Sequence, residues 1–426
     1  MHIFFRLLFL FPLALLLHAC RPAHKIAGRV PANPLEKILA AQAGSFDSIL
    51  SRPDVYQVQI IYTQIDRDKQ QRPHFTRYTW NLDDTRYFYP ASVVKMPLAV
   101  LALEKINWLR ASGYPKLSRD TPYLLDSLRP FQANYKREPT APGGKPTIAH
   151  DIRQVFVVSD NEAYNHLFEF LGREEINRTL HDHGYVHTGI VHRFNYPGRD
   201  NRYSQPISFY DDRGGIFQEG ERFTDRPWKN PQQSLRQGSG YIDGRDSLVL
   251  QAFDFSRKNW FALGDMEKML CAILFPEAVP AENTFNLRPD DYRFLWQCMG
   301  LFPRECPAPA YDTAHYWDSY VKFFVEGDSK RPLDGSVRAF NKVGEAYGYL
   351  TDVAYVVDFE HNVEFILAAT ICCNTDGIFN DGRYDYDQTG FPFLANLGRA
   401  VLEYERKRPR KVSPDLRPFA EALRVN

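Results

Sequence analysis

Strand-forming runs lie at the two ends of this chain, and that placement limits its architecture more than any other feature. Near the start, Tyr56, Val58 and Ile60 alternate with Gln57 and Gln59, and a polar turn from Asp66 to Pro73 leads into a second run, His74 to Trp80. Near the end come Val337 to Val343, Leu350 to Asp358 and Val363 to Thr370, the last two joined by Phe359-Glu360-His361-Asn362. Consecutive strands with short turns favour antiparallel pairing. The expected fold class is therefore α/β in the α+β sense: an antiparallel five-stranded sheet built from both chain ends, flanked by terminal helices, with a mostly helical subdomain between.

Helical phase marks that middle. Leu98, Leu101, Ala102 and Leu103 follow Ser92; Ile148, Ile152, Val155 and Phe156 share one face; Ala163, Leu167, Phe170 and Leu171 share another, with Gly172 as the stop. Terminal helices are expected from Leu35, Ile38, Leu39, Phe46, Ile49 and Leu50, and from Leu394, Leu397 and Val401. The stretch between Tyr196 and Leu287, rich in Gly, Asp, Arg and aromatics, reads as a long insertion. Length, 426 residues, sets a prior of two to three domains at about 150 residues each. Equal numbers of basic and acidic residues, 52 each, leave no net field to draw the chain to nucleic acid.

The first twenty residues stand apart. Arg6 precedes an apolar run from Leu7 to Leu17, too short for a membrane span of roughly twenty residues and suited to a signal-peptide core. Leu17-His18-Ala19-Cys20 resembles a bacterial lipobox, in which Cys20 is lipidated and becomes the mature N-terminus. The expected organisation is a lipoprotein signal peptide at 1–20, a tether at 21–34, a domain at 35–407 and a tail at 408–426. Within the domain, 35–91 and 335–407 form the sheet part and 92–334 the helical part. Expected localisation is the periplasmic face of the cell envelope, with the outer membrane favoured by Arg21 and attachment to the membrane expected through a lipid anchor at Cys20. Five further cysteines, Cys271, Cys298, Cys306, Cys372 and Cys373, read as core-filling thiols, the last two on opposite faces of a strand.

Three short motifs carry the chemistry. Ser92-Val-Val-Lys95 opens the helix after the second strand; a serine there sits at the positive end of the helix dipole, and Lys95 projects one turn on from the same face. A lysine desolvated by burial loses its proton readily and can serve as a base. Alone the pattern is weak, since Ser-x-x-Lys arises by chance on the order of once in such a chain. Ser159-Asp160-Asn161 reads either as a helix N-cap or as a hydroxyl and an amide facing substrate. Lys342-Val343-Gly344 ends a strand, where Lys342 is either a solvated edge residue or a functional cation.

Taken in order and in these contexts, the three motifs resemble those of the serine β-lactamase and penicillin-binding protein superfamily, and class A β-lactamases most closely. The resemblance covers about Leu35 to Lys407 and implies a class A β-lactamase-like fold. It implies Ser92 as the acylated nucleophile, Lys95 as its base and Ser159 as the proton relay. Asn161, Lys342 and Gly344 are implied in substrate binding, with the backbone N–H groups of Ser92 and Glu345 as the oxyanion hole. The implied activity is that of an exported serine acyl hydrolase acting on a β-lactam or related amide or ester, small-molecule or peptidoglycan-derived, with no cofactor and no metal. The alternatives are a D,D-peptidase-like or esterase enzyme, or a sensor that is acylated without turnover.

Three departures stand out. Val343 replaces the hydroxyl residue usual in the third motif. The step from Ser159 to Lys342 spans 183 residues, far more than in class A enzymes. The deacylating glutamate has no counterpart in the segment from Val191 to Pro206, whose nearest carboxylate, Asp200, is a candidate water-activating residue or a plain loop aspartate. Two further clusters read as surface features: His181, His183, His187 and His192 lack a zinc-binding spacing, and the aspartates from Asn374 to Asp387 lack EF-hand spacing. Ser239 sits in Gln-Gly-Ser-Gly, not in a hydrolase elbow.

Overall fold

The computed structural model describes residues 33–195 and 200–424; the lipobox, Cys20 and most of the tether lie outside them. Asn33 accepts the Glu36 N–H at 2.9 Å and opens α1 (Pro34–Ala41), followed by α2 (Ala43–Leu50). The single apolar face expected from Leu35 to Leu50 is broken at Gln42, just before the poor helix former Gly44. Tyr56 likewise belongs to a short helical turn, Pro53–Tyr56, which Gln57 ends at φ 46°. The first strand is therefore shifted from its expected position: β1 spans Gln59–Arg67 and pairs with β2 (Pro73–Trp80).

The remaining strands of the main sheet are β3 (Val337–Ala346), β4 (Tyr349–Asp358) and β5 (Val363–Cys372). The strand order is β3-β4-β5-β1-β2, antiparallel throughout, so the two chain ends meet where β1 pairs with β5. Every residue of β4 and β5 is buried, because helices cover both faces. Ile61, Val353, Ile366 and Cys372 face the helical subdomain. Ile60, Ala354, Phe365 and Cys373 face α1 and the C-terminal helix Phe391–Lys407.

The helical subdomain is built on α3 (Lys95–Ala111), buried along most of its circumference, with α4 (Ile148–Val157), α5 (Asn161–Leu171) and α6 (Arg173–Asp182) packed around it. Residues 203–261 contain short strands of two to six residues, one of which, Gly240–Ile242, pairs in parallel with Ile378–Phe379. Two further helices, α7 (Leu263–Leu274) and α8 (Pro289–Gly300), precede β3. Beyond the long terminal helix α9 (Phe391–Lys407), a last short helix, α10 (Arg417–Ala422), buries Phe419 against Phe275, Trp296 and Tyr355.

Candidate active site

Ser92 lies in a 3-10 turn, Ala91–Val94, that runs directly into α3. Such a start leaves its first backbone N–H groups without helical partners. Gly344 allows β3 to approach this turn: a Cβ there would lie 2.4 Å from the Pro90 carbonyl oxygen and 3.2 Å from the Ala91 Cβ. The backbone on either side of Gly344, Glu345 included, is thereby held against the nucleophile turn.

Lys95 is buried one turn beyond Ser92, with its Nζ 2.8 Å from Ser92 Oγ, 2.7 Å from Asn161 Oδ1 and 3.2 Å from Ser159 Oγ. The amine also contacts the Ser159 carbonyl oxygen. Burial pushes its pKa down from 10.5 to about 7, with Asp160 acting weakly in the opposite sense. A neutral amine has a lone pair, so the Ser92 hydroxyl can donate to Nζ and Ser92 Oγ is primed for attack.

The second motif is split between structure and chemistry. Asp160 accepts the Ala163 N–H at 2.9 Å and caps α5, while Ser159 and Asn161 turn toward Lys95. Ser159 holds φ at 59°, a left-handed conformation disfavoured for residues with a Cβ, and such backbone clusters at functional sites. Its hydroxyl bridges two amines, Lys95 at 3.2 Å and Lys342 at 2.9 Å. Lys342, also buried, reaches the Val343 carbonyl oxygen at 3.0 Å, and burial followed by the field of Lys95 holds its amine well below the usual lysine value. The geometry thus brings Ser92, Lys95, Ser159, Asn161 and Lys342 into one hydrogen-bonded cluster.

Asp200 is not part of that cluster. It forms an ion pair with Arg202 at 2.6 Å and accepts the Arg202 N–H at 3.0 Å, contacts that lower its pKa. What lies over Lys95 instead is the ring of Phe194, with its centroid 5.3 Å from Nζ. Asn165 fixes it there by accepting the Phe194 N–H at 2.9 Å and donating to its carbonyl at 3.0 Å. Among the described residues no carboxylate hydrogen-bonds to Ser92 or Lys95.

A cleft of about 690 Å³ is lined by Ser92, Ser159 and Asn161 and by Trp317, Tyr320, Glu345 and Asp387, of which the two exposed carboxylate residues mark its mouth. Glu345 is exposed as a residue, but partial burial of its carboxyl, with repulsion from Asp387, raises its pKa. Trp317 and Tyr320 come from the segment between α8 and β3, where no periodicity signals a role. The same segment supplies Lys322, a second unanticipated group. Its buried amine donates to Asn341 Oδ1 at 2.7 Å, and Asn341 donates to Asp352 Oδ1 at 2.8 Å. Asp352 also accepts the Phe323 N–H at 3.0 Å. This relay ties the cleft wall to β3 directly beside Lys342. A larger cavity of about 810 Å³ lies behind α3 around Lys105, Glu175 and Glu219 and contains none of the motif residues.

The histidines serve separate partners: His181 meets the Thr188 carbonyl oxygen, His183 meets Glu104, and His192 meets the Arg193 carbonyl oxygen. Cys271, Cys298, Cys306, Cys372 and Cys373 are all buried free thiols.

Residues 49–231 match the model of the Beta-lactamase enzyme family. No curated protein matches the chain. Among solved structures, a β-lactamase from Sphaerobacter thermophilus is 14% identical, with 88% of this chain and 98% of that chain covered and a TM-score of 0.43. A β-lactamase from Streptomyces albus G is 14% identical, with 86% and 99% covered and a TM-score of 0.45. PBP-A is 14% identical, with 89% and 99% covered and a TM-score of 0.48. The family match over 49–231 agrees with the resemblance read from the motifs, and the five-stranded antiparallel sheet with its flanking helices is the fold expected from it. The family match supports a serine hydrolase in general.

Proposed function

We propose that this β-lactamase-type chain is an exported serine acyl hydrolase that works through an acyl-enzyme on Ser92. The observation that carries the reading is the contact of the buried Lys95 amine with Ser92 Oγ at 2.8 Å, within a cluster that also includes Ser159 and Lys342. Neutral Lys95 takes the Ser92 proton as Oγ attacks an amide or ester carbonyl. The backbone N–H groups of Ser92 and Glu345 hold the resulting oxyanion. Ser159 Oγ, bridging the two amines, passes a proton to the leaving nitrogen or oxygen. Asn161, whose Oδ1 is engaged by Lys95, has its amide nitrogen available for a substrate carbonyl. The product of this half-reaction is an ester of Ser92.

Breaking that ester requires a positioned water and a base. Phe194 over Lys95 offers neither, and loss of a general base costs roughly 10²–10⁴-fold in rate. We therefore expect a β-lactam acyl-enzyme that lives for minutes or longer, which also favours the second reading, a sensor acylated without turnover. Intact-mass spectrometry after addition of penicillin and a fluorophosphonate separates the cases. A persistent adduct on wild type and none on Ser92→Ala is expected. Adducts at Ser159 or Ser239 in place of Ser92 overturn the proposal, and rapid penicillin hydrolysis with no accumulating adduct overturns the long-lived acyl-enzyme and with it the sensor reading. Anchoring through a lipid on Cys20 belongs to the same proposal. Cys20→Ser should shift the protein from the membrane fraction to the soluble fraction, and an unchanged distribution removes the anchor.

A further inference from the structure

The mouth of the Ser92 cleft has charges that the acyl-transfer chemistry does not use. Glu345 and Asp387 line it close enough for one carboxylate to raise the pKa of the other, and neither has an ion-pair partner among the described residues. Asp328, on the same wall, is by contrast paired with Arg399 at 2.7 Å. Aromatic surface sits beside the two free carboxylates. Trp317 and Tyr320 line the same cavity with ring centroids 5.2 Å apart, and Tyr320 lies within the field of Glu345. The chain's own side chains already place one alkylammonium here: Lys330 Nζ, on an exposed residue lining the cleft, lies 4.1 Å from the Trp317 centroid. Carboxylates next to aromatic faces make a receptor for alkylammonium groups. Among the described residues lining the cleft, the one cation is Lys330, and its amine is already seated on the Trp317 ring. Position 343 is a valine without a hydroxyl, and the Lys342 amine is engaged by Ser159 Oγ and the Val343 carbonyl oxygen.

We propose that this cleft selects acyl donors carrying an alkylammonium group, held at the mouth between Glu345 and Asp387 and against Trp317 and Tyr320, with the scissile carbonyl at Ser92. The inference rests on the acyl-enzyme reading above and names the substrate class of that site. Positive charge at the mouth is attracted by the two carboxylates, whereas a carboxylate in the same place meets like charge in a partly desolvated cleft.

The test uses the full chain and three activated p-nitrophenyl esters of equal acyl length, ending in an ammonium, a carboxamide or a carboxylate. Rates of Ser92 acylation should favour the ammonium ester over the carboxylate ester by about tenfold or more at low salt. The ratio should fall with ionic strength and drop several-fold in Glu345→Gln, in Asp387→Asn and in the double variant. A wild-type ratio near one, or a ratio unchanged by the substitutions, overturns the proposal. Equilibrium binding of the three esters to Ser92→Ala keeps the two readings apart. An ammonium preference in binding without acylation of wild type leaves the mouth selective and rejects the acyl-enzyme. Acylation with no preference does the reverse.

Discussion

Two groups of buried charge in this molecule are built on opposite terms. Glu405, fully buried on α9, accepts Arg408 Nε at 2.8 Å, a second guanidinium from Arg410 and the Tyr62 hydroxyl from β1. Glu364 on β5 is similar, with Arg67 at 2.7 Å and the Tyr355 hydroxyl at 2.7 Å. The cleft has the inverse arrangement: Lys95 and Lys342 are just as deeply buried, yet their partners are hydroxyls, an amide and carbonyl oxygens, with no carboxylate among the described residues in hydrogen-bond contact. A buried charge with a full set of opposite partners holds elements in place. A buried amine facing only neutral oxygens is held there at the expense of its proton, and that makes it a base.

Substitutions at the two groups should therefore fail in different ways. The largest effect belongs to Lys95→Ala, which should slow fluorophosphonate labelling of Ser92 by at least about 10²-fold while thermal unfolding stays cooperative. Labelling at the wild-type rate would remove Lys95 as the base. Next comes Glu405→Gln, which takes the carboxylate from Arg410, leaves Arg408 only its ion pair with Asp66, and should cost about 3–5 kcal/mol of stability. The labelling rate should be unchanged at temperatures where the variant is folded. A chemical-denaturation midpoint equal to wild type would show that Glu405 is not structural.

The pH dependence sharpens the contrast further. Labelling should rise with pH through about 7 as Lys95 loses its proton. Stability follows from the same shift: between about 7 and 10.5 the unfolded chain carries a proton on Lys95 that the folded chain lacks. In that window stability contributed by this group rises with pH. Raising the pH from 7 to 9 should move the denaturation midpoint in the stabilising direction in wild type relative to Lys95→Met, and an identical response would rule out the shift. The smallest effect is expected from Asp200→Asn. Because Asp200 is engaged by Arg202, the substitution should leave both the labelling rate and the acyl-enzyme lifetime unchanged. A longer lifetime would return Asp200 to the reaction.

The parts legible in the sequence were those in which residue type and spacing alone carry the information. Ser92 and Lys95 sit one helical turn apart, and Ser159 and Asn161 flank a capping aspartate. The strands β4 and β5 are unbroken apolar runs because both faces are covered. The start of β1 is not legible in the sequence because Tyr56, Val58 and Ile60 alternate as a strand would, while Pro53 and the left-handed Gln57 impose a turn. Phe194, Trp317, Tyr320 and Lys322 carry no sequence signal for a different reason. Each acts through a neighbour distant in sequence, and no local period marks a side chain that meets its partner only in three dimensions. Asp387 lay inside a run of aspartates that reads as solvated loop, and only the cleft geometry separates it from the others.

The bridge made by the Ser159 hydroxyl joins residues 64 and 183 positions apart, Lys95 on one side and Lys342 on the other. Contacts of such long sequence separation are closed late, because the entropy of the intervening loops must be overcome before they form. A nascent or truncated chain that lacks β3 has no second amine to complete the bridge. On the acyl-enzyme reading proposed above, catalytic competence is in this sense a readout of finished folding, since the bridge forms only when the two halves of the chain have found each other.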